Sequence, residues 1–257
     1  MKALALDTSI SCIQIAAKND DKIASLVLDI GMRQSEKLLP SIDFVLKQAE
    51  LEPGDLDYTA LCQGPGSFTG LRLAFAALKA IELFGGKDNA DQKSPQAKNA
   101  GGDQNCAQDQ NAGGRSKIPL YGINSLDYFS QPFMDLPAVV VPVIDAHKEK
   151  FYAKAFHDGK EIIPCDDWDL RVFAEKLAAA PCDAIFACGL EANAFIDACK
   201  ENNLLAQKKL IAAKGRVSNF ESLFILAEEK IAKNEPPLSD YDGPQYFRAS
   251  EAELKHT

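Results

Sequence analysis

The sequence predicts an α/β protein built as two related lobes with mixed sheets. Three observations lead there. A chain of 257 residues that is 46% hydrophobic has room for two lobes, at roughly 100–150 residues each. It opens with three consecutive predicted strands, a meander and not a βαβ unit. Helix, strand and helix follow, and a similar set recurs in the second half.

The elements come in this order. Lys2–Asp7 is an apolar run ending in an acid, and Cys12–Lys18 is rich in β-branched and small residues. Lys22–Asp29 follows the tight turn Asn19-Asp20-Asp21. A helix is expected from a Ser35 cap, with Leu38, Leu39, Ile42, Val45, Leu46 and Ala49 recurring at helical spacing as one apolar stripe. Glu52-Pro53-Gly54-Asp55 ends it, Asp57–Gln63 reads as a strand, and Leu71–Phe84 as a second helix. Gly85–Lys117 holds no Val, Ile, Leu, Met, Phe, Trp or Tyr. Such a stretch buries too little apolar surface to offset the entropy of ordering it, so a disordered surface insertion is expected. Strands are then predicted at Ile118–Gly122, Ala138–Asp145, Lys150–His157 and Ala184–Cys188. Helices are predicted from Ser125 and over Trp168–Ala179, Glu191–Glu201 and Asn219–Lys233. The lobe boundary is expected near Asn124, giving lobes of 1–124 and 125–257.

Composition narrows the function. The formal charge is -9, and no arginine stripe accompanies short basic clusters such as Lys208-Lys209. A protein that grips an RNA backbone alone usually carries a basic patch, so direct tight RNA binding is not expected. Cys12, Cys62, Cys106, Cys165, Cys182, Cys188 and Cys199 are odd in number and form no C-x-x-C, which reads as inert thiols in a reducing compartment. His147, His157 and His256 are the three histidines, and no pair has helical spacing, so a conventional zinc hydrolase is excluded. The first apolar run meets Asp7 too early for a signal peptide or a span of about 20 residues. A cytoplasmic protein without a membrane anchor is expected.

The most distinctive stretch is Gly64-Pro65-Gly66-Ser67-Phe68-Thr69-Gly70-Leu71-Arg72, between a predicted strand and a predicted helix. Glycines there let backbone N–H groups approach an anion at a helix N-terminus. It is not a Walker A loop, because Leu71-Arg72 stands where Lys-Ser/Thr is required, nor G-x-G-x-x-G, because Thr69 replaces the third glycine. A tight turn with Ser67 or Thr69 as helix cap fits the same residues, and both readings stand.

That stretch resembles the signature of the TsaB/YeaZ family of bacterial tRNA threonylcarbamoyladenosine biosynthesis. The resemblance runs through Leu6-Asp7-Thr8-Ser9, Ser35-Glu36 with Leu38-Leu39-Pro40, and Ile144-Asp145-Ala146 with Glu149 and Tyr152. It ends on Pro244-x-Tyr246-x-Arg248. His147 takes an arginine's place, Phe247 a leucine's and Gln34 a histidine's, and the 85–117 insertion is atypical. The resemblance implies the actin/Hsp70/sugar-kinase-like (ribonuclease H-like) fold. It also implies a non-catalytic role beside the paralogous catalytic subunit TsaD and the P-loop ATPase TsaE. ATP would be used by the complex, with no cofactor held by this chain alone, and tRNA would be met only through the complex. Homodimer and monomer both stay open.

The catalytic paralogue holds its metal in a Gly-x-Asn-His-x-x-x-His segment. This chain reads Gly122-Ile123-Asn124-Ser125-Leu126-Asp127-Tyr128-Phe129, with Ser125 and Phe129 on the ligand positions. A phenyl ring cannot ligate a metal. Where relatives place a glycine-rich phosphate hairpin, Val143-Ile144-Asp145-Ala146-His147 has no glycine. Cys188-Gly189-Leu190-Glu191-Ala192-Asn193 keeps a trace of an adenosine turn. Asp7, Gly64, Gly66, Ser67, Thr69, Gly70 and Arg72 form the candidate anion or nucleotide loop. An autonomous kinase of the same fold would need intact phosphate and adenosine loops. A peptidase, as in the old "glycoprotease" label, would need a nucleophile–base pair or a metal site.

The second helix marks a candidate partner surface. Arg72, Lys79 and Glu82 fall within about 80° of its circumference. Ala74, Ala77, Leu78, Ile81 and Phe84 oppose them and should face the sheet. Leu73, Ala76, Ala80 and Leu83 form a separate apolar strip that another helix could approach closely. Coverage of that strip by the first helix is the alternative.

Overall fold

The computed structural model describes residues 1–86, 117–147, 150–214 and 220–247. The expected insertion at 85–117 therefore lies almost wholly outside the described residues, as do Cys106, Glu149, Arg248 and His256.

Two five-stranded sheets repeat one topology. The first holds β1 (Lys2–Asp7), β2 (Cys12–Asn19), β3 (Lys22–Asp29), β4 (Tyr58–Gly64) and β5 (Leu120–Asn124), in the order β3-β2-β1-β4-β5. The second holds β6 (Val139–His147), β7 (Lys150–His157), β8 (Lys160–Asp169), β9 (Ala184–Cys188) and β10 (Lys209–Ala212), in the order β10-β9-β6-β7-β8. In each, the first strand is central. A meander pairs antiparallel on one side of it and two parallel strands lie on the other.

The central strand β1 is buried on both faces, which explains its unbroken apolar run. Its leucines and alanines alternate between the faces. Leu4 and Leu6 meet α1 (Gln34–Gln48) and α2 (Phe68–Phe84) through Leu38, Ile42, Val45 and Leu78. Ala3 and Ala5 meet α3 (Ser125–Ser130) and α6 (Glu221–Ala232) through Leu126, Phe129, Leu223 and Phe224. In the second lobe Val139, Val141 and Val143 pack under α4 (Leu170–Ala178) and α5 (Ala192–Glu201), against Phe173 and Phe195. Burying one such aromatic or aliphatic side chain is worth about 1.5–3 kcal/mol.

The lobes share a core. Ile144, Tyr152, Cys165 and Leu190 of the second lobe join the cluster on the α3–α6 face of the first sheet. A buried Lys154 on β7 adds a polar tie, 2.7 Å from Asp127 on α3 and 3.0 Å from Glu161 on β8. After the second sheet the chain returns to the first lobe. Glu228 of α6 meets Lys18 at 2.6 Å and accepts from the Tyr58 hydroxyl at 2.9 Å.

Several sequence expectations need correction. Ser35 does not cap α1; the helix starts at Gln34, follows Arg33 and has no side-chain cap bond. Leu39 leaves the apolar stripe and is 64% exposed, because it sits one position, or about 100°, from Leu38. α2 begins at Phe68, not Leu71. Trp168 and Asp169 end β8 instead of opening a helix, and Asp169 caps α4 through Arg171 and Val172 N–H. β8 and β10 were not expected. Glu82 does not face water; it is buried and paired with Lys79 at 2.8 Å.

Candidate functional site

The glycine stretch packs on the turn that follows β1. Ser67 N–H donates to the Ser9 carbonyl at 2.6 Å, and the Thr8 hydroxyl donates to the Gly70 carbonyl at 2.7 Å. The Ser67 hydroxyl accepts from Gly70 N–H at 3.3 Å, so of the two candidate caps Ser67 holds the start of α2. A Cβ at Gly70 would collide with the Thr8 carbonyl, so glycine here permits loop and strand end to touch. N–H groups of Ser67, Gly70 and Leu71 are thus engaged within the chain.

Asp7 lies beneath this turn, fully buried. Its carboxylate accepts from Ser9 N–H at 2.8 Å and from the Gln14 side chain at 3.1 Å, and Gln14 accepts from the Tyr128 hydroxyl at 3.2 Å. Burial pushes the Asp7 carboxyl above its usual range, and the bonds from Ser9 only partly oppose that. The Cys62 thiol beside it is pushed well up by burial and by the Asp7 charge. Cys165 is pushed to about 12 and Cys199 to about 11, both chiefly by burial, which makes poor nucleophiles of them.

The candidate loop residues therefore divide. Asp7 and Gly64 end β1 and β4, Gly66 and Ser67 lie in the turn after β4, and Thr69, Gly70 and Arg72 stand on the first turns of α2, where Gly70 is buried and Thr69 and Arg72 are exposed. Arg72 turns to the C-terminal segment: its Nε donates to the Tyr246 hydroxyl at 3.0 Å, and its guanidinium lies 3.8 Å from the Phe68 ring centre.

On α2, Ala76, Ala80 and Leu83 are exposed, and Leu73 is half-buried against the core. Ala74, Ala77 and Leu78 are buried toward the sheet, and Ile81 is packed against the same core. The Phe84 side chain lies outside the described residues. α1 adds exposed Leu39 and a 50% exposed Phe44, which the sequence reading did not assign to the surface. The available signal was that Phe44 lies off the apolar stripe of its helix.

Ser125 and Phe129, which the resemblance sets on metal-ligand positions, are both buried, Phe129 within the apolar cluster on the α3–α6 face of the first sheet. Among the described residues no group of three or more His, Cys, Asp and Glu side chains could hold a metal ion. Cys188 is buried, Asn193 is exposed, and Gly189 turns tightly against the Val143 carbonyl. Asp145 is exposed on β6, and the His147 side chain lies outside the described residues. Sequence reasoning missed a polar cleft of about 240 Å³ at the carboxyl ends of β4 and β5, lined by Gln63, Asn124, Asp127, Lys230 and Gln245. Among the described residues no helix is long and apolar enough to cross a membrane.

Two lobes of identical strand order around a shared interlobe core place the chain in the actin/Hsp70/sugar-kinase-like class of α/β proteins. YeaZ from Pseudomonas aeruginosa superposes with a TM-score of 0.67 at 19% identity, covering 95% of this chain and 99% of that one. Residues 31–87 match the family described as TsaD: tRNA N6-adenosine threonylcarbamoyltransferase. The tRNA threonylcarbamoyladenosine biosynthesis protein TsaB of Buchnera aphidicola subsp. Schizaphis graminum is 36% identical over 80 residues, 31% of this chain. That match spans only 38% of the Buchnera protein. The Bacillus subtilis protein of the same name is 22% identical, over 99% of this chain and 97% of its own length. The full-length likeness to the Bacillus subtilis protein and the shared fold of YeaZ support the TsaB/YeaZ family for this chain.

Proposed function

We propose that this chain takes part in tRNA threonylcarbamoyladenosine biosynthesis as a non-catalytic subunit that pairs with a TsaD-type catalytic paralogue. The observation that carries this reading is the Gly64–Arg72 signature within a full-length likeness to a protein named for that pathway. The chemistry, acyl transfer from threonylcarbamoyl-adenylate to the adenosine beside the anticodon, belongs to the partner's metal site. Ser125 and Phe129 support that assignment, since neither gives this chain the histidine pair such a site uses. A TsaE-type P-loop ATPase is the further partner, ATP is consumed by the complex, and tRNA is met through it. The place of action is the cytoplasm.

The pairing surface in this reading is the outer face of α1 and α2, with Leu39, Phe44, Ala76, Ala80 and Leu83 exposed there. Small residues allow another helix to approach closely, and large apolar ones supply burial. The test is size-exclusion with light scattering on the chain mixed with its TsaD-type partner. Ala80→Arg is expected to abolish the mixed species while circular dichroism stays native. Normal pairing by a folded Ala80→Arg variant would remove this face from the proposal.

A further inference from the structure

The closing motif around Pro244 and Tyr246 has no part in the reading above, yet it docks on the other signature of the chain. After α6 the backbone runs along the β5 edge, where Leu238 N–H donates to the Leu120 carbonyl at 2.7 Å. Lys79 donates to the Ser239 carbonyl at 2.9 Å, and Lys117 pairs with Asp240 at 2.8 Å. Gln63, the residue before the glycine loop, is then held twice. Its carbonyl accepts from Gln245 N–H at 2.8 Å, and its side chain donates to the Gly243 carbonyl at 2.9 Å.

The main chain of this segment lies directly on the loop. Gly64 has a φ of 124°, and a Cβ there would stand 2.5 Å from the Gln245 carbonyl oxygen. Tyr246 bonds Arg72, and its ring lies 4.9 Å from that of Phe68, so the guanidinium and two rings form one cluster over the first turns of α2. The next residue, Phe247, reaches the second lobe, its ring 6.1 Å from that of Tyr152 on β7.

We propose that Gly243–Phe247 is a clasp. It pins the glycine loop and the start of α2, and through Phe247 it ties that loop to the second sheet. Gly64 is a glycine because the clasp lies on it. Two motifs some 180 residues apart in the chain thus form one device, which sets the lobe arrangement and the pose of α2.

Amide hydrogen exchange read by mass spectrometry on the full-length protein tests this, with no partner present, so the outcome is independent of the pairing proposal. Tyr246→Ala is expected to speed exchange over residues 63–72 by roughly tenfold or more, leaving β2, β3 and α4 unchanged. Phe247→Ala is expected to speed exchange at 63–72 and also in β7. Tyr246→Phe, which keeps the ring and loses the bond to Arg72, should give a smaller rise confined to 63–72. It decides the matter if the alanine variant does not fold. Unchanged exchange at 63–72, or a rise spread evenly over both lobes, would overturn the clasp.

Discussion

Lys154→Met tests how the two lobes are joined. The substitution keeps an unbranched chain of similar length and removes the ammonium. Lys154 is only 8% exposed, and its pKa is raised: burial pushes it down, but Asp127 and Glu161 more than offset that. Its charge therefore contributes at neutral pH and is lost only above the ordinary lysine range. Breaking a fully buried ion pair costs about 3–5 kcal/mol because it strands the partner charge. Here the stranded carboxylates are 32% and 42% exposed, and water recovers part of the loss. A cost of about 2 kcal/mol is the expectation. For a chain of this size that lowers Tm by about 4–8 °C. Urea and thermal unfolding followed by circular dichroism measure it. Asp127→Asn should cost less than Lys154→Met, and the double variant should fall short of the sum. A loss under about 0.5 kcal/mol for Lys154→Met would refute the reasoning and remove this ion pair from what holds the lobes.

Two further substitutions probe the ground under the glycine loop. Asp7 has a folded pKa above its unfolded one, so its own contribution to stability falls as pH rises from near 4 through that raised value. Asp7→Asn removes this slope, and its stability relative to wild type should improve with pH across that window in urea titrations; a difference constant with pH would contradict the burial account. Gly70→Ala drives a methyl into the Thr8 carbonyl and should destabilise by about 1–3 kcal/mol in the same assay, whereas a neutral outcome would show that the loop can lift away.

The legible parts of this fold were those with clean periodicity. β1 and β3 stand at their expected ends, since an apolar run ending in Asp7 and a strand framed by a tight turn are local signals. β8 was hidden because it is an edge strand with Pro164 in its middle and Asp166, Asp167 and Asp169 near its end. Neither face of it shows a run of apolar residues at period two. β10, four residues at the opposite edge, is too short to pattern. The start of α2 was misplaced because Phe68-Thr69-Gly70 reads as loop until the Ser67 cap bond is seen. The loop itself was legible as a site where backbone must come close. What it comes close to was not, because its contacts are carbonyls of Thr8, Ser9 and Gln245, and main-chain groups leave no mark in side-chain patterns. The clasp was invisible for the same reason: a Pro- and Gly-containing segment is held by residues some 160–180 positions away.

The central claim, participation in threonylcarbamoyladenosine formation through pairing, is tested most directly in tRNA. The cell of origin is depleted of this protein and complemented with wild type or Ala80→Arg, and tRNA nucleosides are quantified by mass spectrometry. Threonylcarbamoyladenosine is expected to fall on depletion, to return with wild type and to stay low with Ala80→Arg. An unchanged level on depletion would contradict the account at its root.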